Sequence, residues 1–397
     1  MSLILTNIRA LQPDGTVARL DVRLTGAAIA ETGTRLEADG ARRLDGGGLL
    51  LLPGIIDLHG DAFERQLMPR PRVHVSPAIG LLDSDRQLLA NGITTAYHGV
   101  TLSWEPGLRG LDAGRAFLAA LEAVRPRLAC DTRVHLRFEQ FNVDAAPEIE
   151  DWITRGRIDL LAFNEHTADI ARHVERGQLG SYVARTGLDA AAFADLFARV
   201  CARRDEVPAA SARLAAAAQG RGLPMASHDD EDLDTRMRFR ALGCRICEFP
   251  LNAATARGAL ATGDVVVLGA PNVIRGGSHA GRLGAADAIS QGLCSVLTSD
   301  YYYPAQLQAA FALVRQGIVP LGPAWDLISA NPAAAVGLGD RGAIAAGRRA
   351  DLVLVDDRDP ALPAVAATLV AGHAAYVGPT LAALGWQLGD RRESLPA

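Results

Sequence analysis

One repeating pattern dominates this chain. Between about residues 54 and 335, short apolar runs recur, separated by Ala/Leu/Arg-rich stretches with helical character. The runs fall at 55–59, 94–100, 133–139, 159–164, 224–228, 245–250, 265–268 and 295–300. Near-continuous apolar strands alternating with helices indicate parallel strands covered on both faces. Eight such units fit a (β/α)8 TIM barrel, which typically needs about 250 residues. An open doubly wound sheet is the alternative, but no G-x-G-x-x-G follows the first run.

The two ends of the chain read differently. Residues 1–52 form short strand-like runs broken by turn signals such as Pro13-Asp14-Gly15. The segment 342–397 has the apolar run 352–355 and then ATLVAGHAAYVG. Together they predict one small β-sandwich domain built from both termini, attached to a barrel over 53–341. Between strands four and five, residues 168–222 exceed what one crossover helix requires. A lid beside a pocket and a packed helical insertion both fit that length.

Composition narrows the function. The 397 residues are 49% hydrophobic and 21% charged, an ordinary globular balance. A net charge of −5 argues against a nucleic-acid-coating surface. All 40 basic residues are arginine. A lysine Schiff base, a P-loop lysine and a carbamylated lysine bridging two metals are therefore excluded. Any anionic substrate must be met by arginine, backbone N–H groups or metal. The five cysteines are sparse and odd in number, which points to a reducing compartment. Cys244 and Cys247 form a C-x-x-C with no second pair nearby, and read as small core residues. No basic region followed by a long apolar stretch opens the chain, and 360–378 is interrupted by Pro and Gly. The expectation is a soluble cytoplasmic protein that binds neither membrane nor nucleic acid.

In such a barrel the chemistry sits at the C-terminal ends of the strands. Strand one ends in His59-Gly60-Asp61, and alternation turns His59 and Asp61 the same way. That pair can bind one divalent metal. The other ends carry His98, Glu139, Glu165-His166, His228-Asp229-Asp230 and Asp300, with Arg275-Gly276-Gly277-Ser278-His279 after strand seven. Any one of these histidines reads equally well as a satisfied core residue. Two hard ions about 3.5–4 Å apart share an anionic bridge, and without lysine Glu139 is the best-placed bridge. His228 offers a neutral nitrogen. Asp300 can bind metal and accept a proton from water whose pKa the metal lowers from 15.7 towards about 7. A serine-nucleophile reading finds no G-x-S-x-G elbow. Tyr301-Tyr302-Tyr303 fits loop packing better than a pocket lining.

These residues carry a family resemblance. LPGIIDLHGD at 52–61 resembles the strand-one signature of the amidohydrolase superfamily, with Asp61 where a second His is commoner. Within it, MPRP (68–71), GITT (92–95), HLRFE (135–139), ASHDD (226–230), EFP (248–250), GAPNVIRGGSHAG (269–281) and SDYYYPA (299–305) resemble the diphosphatases of bacterial alkylphosphonate degradation. The resemblance spans about 50–355. It implies a distorted barrel with metals at its mouth and a β-domain from both termini. It also implies a hydrolase converting α-D-ribose 1-methylphosphonate 5-triphosphate to the 5-phosphate and pyrophosphate. Carried over residue by residue, it implies metal ligands at His59, Asp61, Glu139, His228 and Asp300 and catalytic roles for Asp300 and His166. Arg70, Arg275 and His279 would bind substrate, since guanidinium groups clamp phosphate bidentately. The cofactor would be two divalent ions of zinc, manganese or iron. The partner would be a small phosphorylated substrate, and the alanine-rich helices are compatible with a homodimer. Three positions depart from the family pattern: Gly60-Asp61-Ala62, Glu165 before His166, and Glu248 where many members place a metal histidine. The alternative is cleavage of a C–N bond in a cyclic amide, an N-acyl compound or an aminated base. A retained, non-catalytic barrel is a third reading. Arginines converging on the mouth would favour phosphate. An apolar cleft with a single carboxylate anchor would favour a C–N substrate.

Overall fold

Eight parallel strands form where the apolar runs fall: Ile55–Gly60, Ile93–Leu102, Asp131–Glu139, Leu160–Asn164, Met225–His228, Ile246–Glu248, Val265–Gly269 and Val296–Thr298. They are called strands one to eight below. The structure is a computed structural model that describes residues 2–277 and 282–388. Each strand pairs with its neighbours in sequence, from strand eight back to strand one. At the mouth, strands eight and one meet: Asp300 N–H donates to the His59 carbonyl at 2.9 Å, and Asp61 N–H donates to the Asp300 carbonyl at 2.9 Å. The sheet is thereby drawn into a distorted barrel.

The strands are buried along their length, Ile93–Leu102 at every position. Inside the barrel, Ile56, Leu58, Tyr97, Leu160, Ala226, Ile246 and other apolar side chains pack together as one cluster. Outside, helices such as Leu111–Val124 and Ala146–Thr154 cover the wall with Phe117, Leu121, Ile149 and Trp152. Polar side chains are thus concentrated above the apolar interior, at the strand ends.

The terminal strands join in a second eight-stranded sheet. Val17–Thr25 pairs antiparallel to Ser2–Leu11, and Leu352–Asp356 pairs antiparallel to Leu50–Pro53, so both ends of the chain enter one sheet. Within 168–222, three helices leave the barrel: Thr167–Glu175, Gly180–Thr186 and Ala190–Cys201. They enclose a small core of Ile170, Leu179, Phe193 and Phe197, with Trp104 against it. Gly187, in the left-handed conformation, ends the second of them. The fourth helix, Val207–Gly220, returns to the wall through Leu214 and Ala218. Among the described residues, no helix is long and apolar enough to cross a membrane. Cys244 and Cys247 are buried and unpaired, and burial pushes both thiols up, Cys244 to about 12. They sit in the core as un-ionised groups.

Candidate active site

Strand one carries Asp57, His59 and Asp61 at alternate positions. Asp57 is buried and accepts from Ser299 N–H at 2.9 Å and Ser299 Oγ at 2.5 Å, clamping strand eight beside strand one. Gly60 is required between the two outer residues, because a Cβ there would lie 2.6 Å from Asp57 Oδ2.

Glu248, at the end of strand six, is the centre of the floor. It is fully buried. Its Oε2 lies 3.2 Å from His59 Nδ1, 3.4 Å from His228 Nδ1 and 3.7 Å from His135 Nε2. Tautomers follow from the outer contacts. Arg137 Nη2 donates to His228 Nε2 at 3.0 Å, so the His228 proton is on Nδ1, facing Glu248. His135 Nδ1 donates to the Leu58 carbonyl at 3.0 Å, so its Nε2 is a lone pair. That nitrogen and Glu248 Oε1 are buried without a hydrogen-bond partner. Burial pushes His59 and His135 down to about 3 and His228 well below the ordinary range, while it pushes Glu248 up. Two orphaned acceptors among imidazoles held neutral form a seat suited to a cation.

Phe249 covers this floor. Its ring meets His59 and His228 edge-on, with centroids 5.0 and 5.1 Å away. Phe249 (φ 51°), Asp229 (φ 59°) and Asp300 (φ 55°) are all left-handed, directly at the ends of strands six, five and eight. Side chains other than glycine rarely adopt that conformation, and such strain gathers at functional sites.

The upper wall is ionic. His166 Nδ1 donates to Glu139 Oε1 at 2.7 Å, and its Nε2 lies 3.7 Å from Asp229. The Glu139 charge raises His166 to about 9, so the ring is protonated at neutral pH. Burial alone would raise Glu139, but His166 and Arg137 hold it below the usual carboxylate range. Burial, with the Asp61 charge beside it, pushes Asp300 up to about 7.

Two cavities open around Arg137. Asp61, His59, His228 and Asp300 line one of about 260 Å³, together with Arg282. Asp61 also lines a second of about 310 Å³, with Glu139, His166, Arg109 and Arg185. Four of the expected metal ligands thus share one cavity, and Glu139 stands in the adjoining one, bound to His166. Among the described residues, the ligand atoms that lie within 4.8 Å of one another are those of His59, His228 and Glu248, and of His166, His228 and Asp229. Arg70 is exposed beyond strand one, and neither cavity includes it. Arg275 is exposed on the rim, where Nη1 donates to the Tyr301 hydroxyl at 3.2 Å. Ser278 and His279 lie outside the described residues. His98 is buried beside Phe63 and Phe117, in the wall. Asp230 accepts from Ser227, Arg236 and Cys247 in the core.

The residues that sequence reasoning missed are mostly arginines. Arg137 was within reach: in HLRFE it alternates with His135 and Glu139 on the inward face. Arg109, Arg185 and Arg282 lie outside the strands and carry no local signal.

A parallel barrel with imidazoles and carboxylates gathered at its C-terminal mouth defines a class of barrel hydrolases. The pattern of the amidohydrolase family matches residues 217–377. The chain belongs to that family. It is 31% identical over 341 residues to the α-D-ribose 1-methylphosphonate 5-triphosphate diphosphatase of Escherichia coli K12, covering 84% of this chain and 89% of that protein. Its fold is similar to that of N-isopropylammelide isopropylaminohydrolase from Burkholderia multivorans, with TM-score 0.66, 21% identity and 94% and 98% coverage of the two chains. It is also similar to dihydropyrimidinase from Brevibacillus agri, with TM-score 0.66, 15% identity and 95% coverage of each.

Proposed function

We propose that this chain is a divalent-metal-dependent diphosphatase hydrolysing α-D-ribose 1-methylphosphonate 5-triphosphate to the 5-phosphate and pyrophosphate. One observation carries the reading: Arg109, Arg137, Arg185 and Arg282 converge on the two cavities beside the candidate ligands. A neutral cyclic amide has no use for four guanidinium groups, whereas a polyphosphate needs such donors, above all in a chain without lysine. The similarity to the E. coli diphosphatase supports the same substrate class.

The donor set fits a divalent cation. His59, His228 and Glu248 would hold it on the floor, His228 giving up its Nδ1 proton, with Asp61 and Asp300 beside them, and Glu139 and Asp229 offer carboxylates for a second. Zinc, manganese and iron all suit imidazole and carboxylate donors. When bound, such an ion polarises a phosphoryl oxygen and acidifies water. Around it, Asp300 accepts the proton of the attacking water. The water oxygen bonds to phosphorus, the α–β anhydride P–O bond breaks, and pyrophosphate leaves with the electron pair. Protonated His166 and Arg137, which lines both cavities, meet the charge that grows on the phosphate oxygens. The setting would be the cytoplasm, with no nucleic acid or membrane as partner.

Phosphorus NMR on the ribosyl triphosphate tests this directly. Pyrophosphate release abolished by a chelator and by Asp300→Asn is the expected result. A metal-loaded protein that releases no phosphorus product would overturn it. The apolar wall of the smaller cavity, Phe249, Pro250, Leu268 and Leu283, would then direct attention to C–N substrates.

A further inference from the structure

The two cavities differ in chemistry, and the difference orients the substrate. We propose that the pyrophosphate leaving group is held on the side of the inserted helices by Arg109 and Arg185, with the ribosyl end on the side of Phe249 and Leu268. This rests on the diphosphatase reading and adds the direction in which the substrate lies.

Asp61 and Arg137 line both cavities, so they mark the point where the scissile anhydride crosses from one to the other. On the insertion side, Arg109 gives Nε and Nη2 to Glu64 at 2.9 and 2.8 Å. Arg185 gives Nε and Nη2 to Glu105 at 2.7 and 3.0 Å. Each carboxylate grips one edge of its guanidinium, and neither Nη1 donates to any described residue. The Tyr182 ring lies 4.6 Å from the Arg185 guanidinium carbon and supports its face. Two cations are therefore fixed in plane with their N–H pairs unspent, which removes the reorganisation cost of binding an anion. Two of the acids in this cavity are already committed, Glu105 to Arg185 and Glu139 to His166. The other cavity presents the apolar wall, and its Arg282 is tied to Asp229 at 2.7 Å. The most highly charged end of the substrate belongs with the unspent donors. Arg185 lies in the inserted helix Gly180–Thr186, so the insertion becomes the element that senses the length of the phosphate chain.

The test uses the metal-loaded, full-length protein. Arg185→Gln is compared with wild type for KM on the ribosyl triphosphate, for KM on the matching 5-diphosphate, and for inhibition by pyrophosphate. Expected are a tenfold or larger rise in the triphosphate KM and an equal weakening of pyrophosphate inhibition. The diphosphate KM should move several-fold less. Arg185→Lys should recover part of the loss, since it restores charge but not the bidentate fork. If Arg185→Gln fails to fold, Glu105→Gln, which loosens the grip on Arg185, decides by the same readouts. Wild-type protein that releases no pyrophosphate would sink the diphosphatase reading itself. Pyrophosphate release with KM and inhibition unmoved in these variants would overturn the orientation alone.

Discussion

The floor and the rim of the site use the same residue types in opposite states. On the floor, burial drives His59 and His135 down to about 3 and Glu248 up, so each group tends to shed its charge. On the rim, Glu139 stays low and His166 rises to about 9, so both keep their charge. The physical difference is the supply of partners. The floor brings three neutral imidazoles to one carboxylate that no arginine contacts among the described residues, whereas each rim acid has a cation within reach. A floor of that kind is completed by a cation from solution, and a rim of that kind is ready to meet anions.

Breaking each region in turn should give effects of different size and kind. The largest is expected from Asp300→Asn, at the mouth where strands eight and one meet. Pyrophosphate release should fall by about 10³-fold or more, the scale of a lost proton acceptor at a site of growing charge. A near-wild-type rate in the same phosphorus-NMR assay would remove Asp300 from the chemistry. Next, Glu248→Ala should weaken metal binding by about 10–100-fold or more, because the cation loses a carboxylate ligand and the imidazoles lose the group they face. Competition against a coloured chelator reads this, and unchanged metal affinity would take Glu248 out of the cation seat.

His98 sharpens the comparison, since it is buried in the wall with burial as the sole cause of its shift to about 4. Its folded-state pKa is depressed, so the unfolded chain takes up the proton first. Stability is then full above about pH 6.5 and declines as pH falls towards 4, by about 2 kcal/mol between pH 7 and 5. Urea unfolding at the two pH values should show this loss in wild type and less of it in His98→Phe. Equal pH dependence in both would show that His98 titrates normally. The smallest effect is expected on the rim, where Arg109→Gln should raise the substrate KM about tenfold, the scale of one charged hydrogen bond. A rise in salt should mimic it, and a fall in kcat at constant KM would contradict a binding role.

The fold was legible because burial writes itself into local sequence. Short runs with apolar residues at their centre marked all eight barrel strands to within two residues at each end, as with 245–250 against Ile246–Glu248. Alternation placed His59 and Asp61 on one face, and both line the same cavity as His228 and Asp300. The phosphate-binding candidates were harder. Arg70 and Arg275 were singled out from motifs, yet both are exposed, while Arg109 and Arg185 line the cavity without any motif to announce them. Loop and insertion residues have no periodicity from which direction can be read.

Local patterning of the amino acids specifies the parallel barrel, the residues that top its strands, and a chemistry in which arginine must do what lysine does elsewhere. Which side chains meet is settled by folding in three dimensions. Glu248 and His59 are 189 positions apart, Arg185 and Glu105 are 80 apart, and Arg109 and Glu64 are 45 apart. Periodicity reports which way a residue faces within its own element. Closure of the sheet and the docking of the inserted helices bring those faces together, and no local pattern encodes that step.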